Sequence, residues 1–249
     1  MHSAAGFDSL QKEIVRCRKC PRLVRWRELV AREKVRRYSR QQYWGRPVPA
    51  FGSPDARLIV VGLAPAAHGG NRTGRMFTGD GSGDWLYEAL YRYGFANRAA
   101  SVGPGDGLLV KDCLITAVAR CAPPQNRPTA GEIASCRGYL RRELELADHA
   151  GVVLVLGRVA FQVFLRLRRE SGGRPEGPAP EFCHGGEWAL PGGLRLLSSY
   201  HPSRQNTQTG RLTRPMFHDV FRRARALLDA GACGGAAASD SSPAAAGTE

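Results

Sequence analysis

Four short apolar runs constrain this chain most. ARLIVVGL (56–63), CLITAVA (113–119), GVVLVLG (151–157) and LRLLSSY (194–200) are each too short for a buried helix; several are rich in Val and Ile and bounded by Gly or Pro. Such continuous runs read as strands buried on both faces. Helical patterns lie between and after them. DWLYEALYRYG repeats apolar residues at helical spacing and stops at a glycine, with Asp84 near its start. The segment from Thr129 carries Glu132 three residues on, the spacing of a capping box. VAFQVFLRLRRE follows the third run, and PMFHDVFRRARALLDAG, with Pro215 in its first turn, follows the fourth. Strand and helix in alternation predict an α/β fold: one domain over residues 1–230 with a central four-stranded parallel sheet flanked by helices. The Ala/Gly/Ser-rich stretch 231–249 is expected to be a disordered tail.

Three long polar loops follow strands of this sheet: GLAPAAHGGNRTGRMFTGDGSG after the first, RCAPPQNRPT after the second and SYHPSRQNTQTGRLTRP after the fourth. In an open parallel sheet the crevice beyond the carboxyl ends of the strands is where ligands bind. Loops of this length are usually functional, so a site is expected there. The glycines do not spell a phosphate loop: GxxxxGK[ST] is missing, and Gly79-x-Gly81-x-Gly83 does not directly follow a strand.

The net charge is +14, and residues 1–46 hold 13 Lys/Arg against 4 Asp/Glu. A basic surface of this kind attracts polyanions, although a solvated Arg-rich surface gives the same count. No apolar stretch approaches the roughly 20 residues of a membrane helix, and the first 20 residues lack the apolar core of a signal peptide. A cytoplasmic protein without membrane association, acting as a monomer, is expected. Disulfides are disfavoured in that compartment. Cys17 and Cys20, with Cys121 and Cys136 separated by fourteen intervening residues, are spaced as a metal site for zinc or a cubane cluster, with a chance grouping of buried thiols as the alternative. Cys113 reads as core, while Cys183 and Cys233 lie in loop and tail.

Taken together and in order, CRKCPRL, GLAPAAHGGNRTGRMFTGDGSG, RCAPPQNRPT and HPSRQNTQTGRLT resemble the type-B (family 5) uracil-DNA glycosylases, the iron–sulfur branch of the uracil-DNA glycosylase superfamily, over roughly residues 7–230. The resemblance implies a [4Fe–4S] cluster on Cys17, Cys20, Cys121 and Cys136, and excision of damaged bases from DNA. An enzyme of that kind must flip the nucleotide into a pocket. Breaking the glycosidic bond places positive charge on the sugar and negative charge on the leaving base, so the site needs an anion, a positioned water and a donor at the base.

By resemblance, His201 faces the base carbonyl and stabilises the leaving anion. Asp80, the acid of the first loop before the helix, is the candidate for orienting water or offsetting the sugar charge; capping the helix is its alternative role. Phe77 is the candidate for stacking on the flipped base, with core packing as the alternative. Asn126 is a candidate for bonding DNA or water, with an ordinary turn Asn as the alternative; His68 is expected to serve the loop, with a catalytic role as its alternative; and Gly62 and Ala64 complete the base pocket. Ser203, Arg204, Gln205, Asn206, Arg211 and Leu212 are assigned to DNA, with Leu212 as a wedge into the base stack. Two departures stand out. Leu63 and Ala64 are apolar where better-known glycosylase families carry an acid or Asn, and Ala117 stands where those relatives carry a base-reading Asn. A pocket lacking that amide predicts looser choice of base, reaching deaminated purines such as hypoxanthine. The competing readings are a non-enzymatic iron–sulfur nucleic-acid binder on the same fold and, third, a nucleotide-binding redox protein.

Overall fold

The computed structural model describes residues 2–173 and 178–236. Each of the four apolar runs forms a strand: β2 (Leu58–Gly62), β3 (Cys113–Ala117), β4 (Val152–Leu156) and β6 (Arg195–Ser199). They are mutually parallel, with Val60 paired to both Ile115 and Leu154, and Leu154 to Leu197. Two short strands that the sequence reading did not anticipate extend the sheet. β1 (Phe51–Gly52) and β5 (Glu187–Ala189) pair antiparallel at the two edges, giving a mixed six-stranded sheet in the order β1-β3-β2-β4-β6-β5. The expected four-stranded parallel sheet is therefore its centre. Segments of two and three residues are too short to produce a period-two pattern.

Successive side chains of a strand point to opposite faces, and the two cores follow that alternation. Leu58, Val60, Ile115, Leu154 and Leu197 face one way, against helices α4 (Gly81–Arg92) and α8 (Arg214–Ala236) through Leu86, Tyr87, Leu90, Phe217 and Phe221. Ile59, Val61, Leu114, Val153 and Val155 face the other, against α5 (Ala130–Leu146) and α6 (Arg158–Glu170) through Leu140, Phe161 and Phe164. Because both faces are covered, the central strands read as unbroken apolar runs. The capping box at the start of α5 is formed: Glu132 N donates to Thr129 Oγ1 at 3.3 Å, and Thr129 N to Glu132 Oε2 at 2.8 Å. α8 continues to Ala236, so the stretch expected to be a disordered tail opens helical; residues 237–249 lie outside the described residues.

The basic N-terminal stretch folds into two further helices, α1 (His2–Arg16) and α2 (Pro21–Glu33). Leu10 and Ile14 of α1 pack on Cys136 and Tyr139 of α5. Arg22 of α2 makes a two-point ion pair with Glu132, both contacts at 2.8 Å, and donates to Arg127 O at 3.1 Å. These contacts fasten the N-terminal helices to the start of α5 and the loop after β3.

Candidate active site

The chain leaves β2 at Gly62 and does not reach α4 until Gly81. The loop between contains one helical turn, α3 (Gly70–Thr73), closed by Gly74 in the left-handed conformation (φ +75°). α4 begins three residues before the expected start near Asp84, because Asp80 is its N-cap: Asp80 Oδ1 accepts from Gly83 N at 3.0 Å. Asp84 sits in the first turn, where a negative charge suits the helix dipole. The other carboxylate oxygen of Asp80 lies over Gly69, where a Cβ would stand only 2.2 Å from it. Burial pushes the Asp80 carboxyl above its ordinary value. The amides of Gly83 and Ser82 and the Arg72 guanidinium pull it back, and Asp84 adds to the upward push. Asp80 is thus a half-buried carboxylate held in place by the helix it caps.

Phe77 has a positive φ of 52°, uncommon for an aromatic residue, and two glycines make room for it. A Cβ on Gly62 would meet the ring of Phe77 at 2.7 Å, and one on Gly83 would fall 1.8 Å from its carbonyl oxygen. The ring stacks on His201, with centroids 5.9 Å apart and planes 27° from parallel. His201 lies two residues past the end of β6, and burial pushes its imidazole down to about 4, so it is neutral at physiological pH. Its carbonyl accepts from Ser203 N and from Asn206 Nδ2, both at 2.8 Å. Ser82 Oγ donates to Pro202 O at 2.9 Å, tying the first turn of α4 to the residue after His201. The loops after β2 and β6 are therefore joined at Phe77, Ser82 and His201, with Asp80 between Phe77 and Ser82 in sequence.

Other expected residues are placed differently. His68 is engaged through Nδ1 with Tyr43 Oη at 3.1 Å, and burial followed by Arg72 pushes its imidazole down. Ala64 is half-buried in the turn after β2. Asn126 is exposed, with φ +57°, on a tight turn after β3. Gly62 pairs with Ala117 across β2 and β3, so neither strand end presents a polar side chain there. In the last loop Ser203 is half-buried, and Arg204 and Gln205 begin a short exposed helix, α7 (Arg204–Gln208). Arg211 lies over the Tyr200 ring at 4.7 Å. Asn206 donates from Nδ2 to His201 O at 2.8 Å and so also orders the loop. One assignment to DNA is corrected. Leu212 is 1% exposed and belongs to the core that holds Phe217 and Phe221, so it has no free side chain to wedge between bases.

The four cysteines meet. Cys17, Cys20, Cys121 and Cys136 line one cavity with Arg27, Arg120 and Tyr139. Arg27, 2% exposed, donates from Nη1 to Cys121 Sγ at 2.8 Å. Arg27 Nε and Arg120 Nε and Nη1 are buried without a hydrogen-bond partner. Burial pushes the Cys121 thiol up to about 11 and Cys136 up to about 12, and raises Cys20 as well. Among the described residues no three His, Cys, Asp or Glu side chains converge as a single metal ion requires. The thiols surround a space instead. Arg120 is also ion-paired with buried Glu143, which accepts from Thr116 and Gln11.

Sequence reasoning missed the residues that support the loop from behind: Gln41, Tyr43, Arg72 and Ser82. No local pattern marks them; Arg72 sits inside GNRTGR, where an arginine reads as a surface charge.

A family profile described as the uracil DNA glycosylase superfamily matches residues 49–225. The chain is 54% identical over 225 residues to the type-5 uracil-DNA glycosylase of Mycobacterium tuberculosis, covering 90% of this chain and 82% of that protein. It is 47% identical over 223 residues to the type-5 uracil-DNA glycosylase of Thermus thermophilus, covering 88% and 97%. A type-4 uracil-DNA glycosylase of Archaeoglobus fulgidus is 33% identical over 163 residues, 65% of each chain. With three of the four quoted motifs at strand ends of an α/β sheet, the fourth between α1 and α2, and this similarity running through nearly the whole length, the chain belongs to the uracil-DNA glycosylase superfamily.

Proposed function

We propose that this protein is a monofunctional type-5 uracil-DNA glycosylase, which flips uracil out of DNA and hydrolyses its N-glycosidic bond to leave an abasic site. The observation that carries the reading is the Phe77–His201 stack, joined through Ser82 and Pro202 to the helix that Asp80 caps. In the proposed reaction the bond between C1′ and the base nitrogen breaks and its electron pair leaves with the base. His201, neutral, donates a hydrogen bond to the anion that forms. Asp80 lies on the sugar side, offsets the positive charge and orients the water whose oxygen bonds to C1′; the proton that this water loses ends on the departed base anion. Phe77 stacks against the extruded base. Gly62 and Ala117 leave that pocket without an amide to reward uracil's edge, which supports wider choice, hypoxanthine included. A gel assay on DNA carrying a single uracil, hypoxanthine or ethenocytosine, with alkali to reveal abasic sites, tests both levels. Cleavage at uracil is expected first; no cleavage at any of the three refutes the reading.

The cysteine cavity fits a [4Fe–4S] cluster. Four thiols from α1–α2, the loop after β3 and α5 surround it, and the unpartnered N–H groups of Arg27 and Arg120 match the acceptor sulfurs of an anionic cluster. The cluster's place is structural, joining the N-terminal helices to α5, and metal binding would deprotonate thiols that burial otherwise keeps neutral. Purified protein is expected to be brown, with iron and acid-labile sulfide in equal amounts. Stoichiometric zinc in colourless protein, or unchanged stability in Cys17→Ala, refutes the assignment.

A further inference from the structure

Arg72 is a buried cation, 8% exposed, lodged inside the loop that carries Asp80. Its guanidinium reaches three separate segments. Nε donates to His68 O at 2.7 Å, Nη1 to Gln41 Oε1 at 2.6 Å and Nη2 to Gly79 O at 3.3 Å. Its planar face lies 4.0 Å from the Tyr38 ring. Gly79, left-handed at φ +79°, is required by this contact: a Cβ there would fall 2.0 Å from Arg72 Nη2. Gly69 lies between both partners, since its carbonyl accepts from Arg72 N at 2.9 Å and a Cβ on it would fall 2.2 Å from Asp80 Oδ2. The neighbouring Asn71 donates to Arg27 O at 3.1 Å, on the arginine that holds Cys121.

We propose that Arg72 is a positioning residue for Asp80: it clamps the Gly79–Asp80 backbone to the 38–41 segment. A lysine could supply charge there but cannot bond three segments in one plane. The charged groups that bear on Asp80 are Arg72 and Asp84, and Arg72 is the one that favours the ionised form. This inference rests on the reading of Asp80 given above.

Single-turnover excision of uracil from an oligonucleotide duplex, followed from acid to neutral pH, tests it with Asp80→Asn, Arg72→Gln, Arg72→Lys and Gln41→Ala. Asp80→Asn is expected to abolish the acid limb that Asp80 ionisation produces. Arg72→Gln removes the three-point clamp, so the plateau is expected to fall at least tenfold, and any movement of the limb is expected to be upward because a cation favouring the ionised carboxylate is lost. Arg72→Lys is expected to leave the limb in place while lowering the plateau about tenfold, and Gln41→Ala to lower it a few-fold with the limb unmoved. Should Arg72→Gln not fold, the last two decide: wild-type plateaus in both overturn the proposal. A folded Arg72→Gln with a wild-type plateau overturns the proposal. An Asp80→Asn variant with a wild-type profile overturns the Asp80 reading itself, and this inference with it; an impaired Asp80→Asn beside a wild-type plateau in Arg72→Gln overturns this inference alone.

Discussion

Replacing Gly69 by alanine tests whether the placement of Asp80 matters, without touching its charge. The new Cβ would stand 2.2 Å from Asp80 Oδ2 and 3.1 Å from its Cγ, with Ala66 Cβ at 3.3 Å on the other side. Ordinary contact between such atoms needs about 3.5 Å, so the carboxylate must retreat by about 1 Å. It cannot swing freely, because its other oxygen holds Gly83 N at 3.0 Å. A displacement of that size in a catalytic constellation costs about 10²-fold in rate, equivalent to about 2.7 kcal/mol of transition-state stabilisation. Weakening the cap costs about 1 kcal/mol of fold stability in addition. Gly81→Ala is the matched control, since nothing lies within 4 Å of its Cβ position. The assay is single-turnover release of uracil with thermal unfolding measured alongside. Gly69→Ala is expected to be about 100-fold slow and still folded, and Gly81→Ala to be unaffected in rate. A wild-type rate in Gly69→Ala at unchanged thermal stability refutes the placement of Asp80 at the reacting centre.

Three further outcomes follow from the same geometry. His201→Ala removes the proposed donor to the leaving base and is expected to lower single-turnover excision by about 10²–10³ while binding to uracil-containing DNA changes little; equal losses in both would make His201 a binding residue only. The buried imidazole, held at about 4, resists protonation, so its contribution to stability is present above the ordinary histidine range and declines as pH falls from about 6.5 toward 4; acid unfolding of His201→Gln should be correspondingly shallower. Leu212→Ala is expected to lose about 2–5 kcal/mol by denaturant unfolding with DNA affinity unchanged, whereas a selective loss of affinity would restore the wedge. Arg32, Arg36 and Arg37 are exposed on the N-terminal segment, and their triple alanine variant is expected to bind all sequences more weakly with a shallower salt dependence, by up to about 0.9 in slope per lost phosphate contact; an unchanged slope places the DNA footprint elsewhere.

Sequence alone determined what depends on local spacing. Val60 and Val61 had to face opposite cores because neighbouring strand residues point oppositely, and the Thr129–Glu132 box starts α5 because its two hydrogen bonds span a fixed three-residue interval. The polar loops after the strands marked the crevice, and the quoted motifs carried the family. Tertiary structure decided everything that joins distant segments. Cys17 and Cys20 meet Cys121 and Cys136 only because α1 and α2 pack on α5. Arg72 is a buried clamp because Gln41 and Tyr38 close over it. Leu212 looked like a wedge because an apolar residue in a polar loop reads as exposed, yet Leu212 N bonds Asn206 O at 2.9 Å and the turn drives the side chain into the core. Spacing along a chain encodes periodicity and caps, whereas burial and charge pairing belong to neighbours that the chain brings together only when it folds.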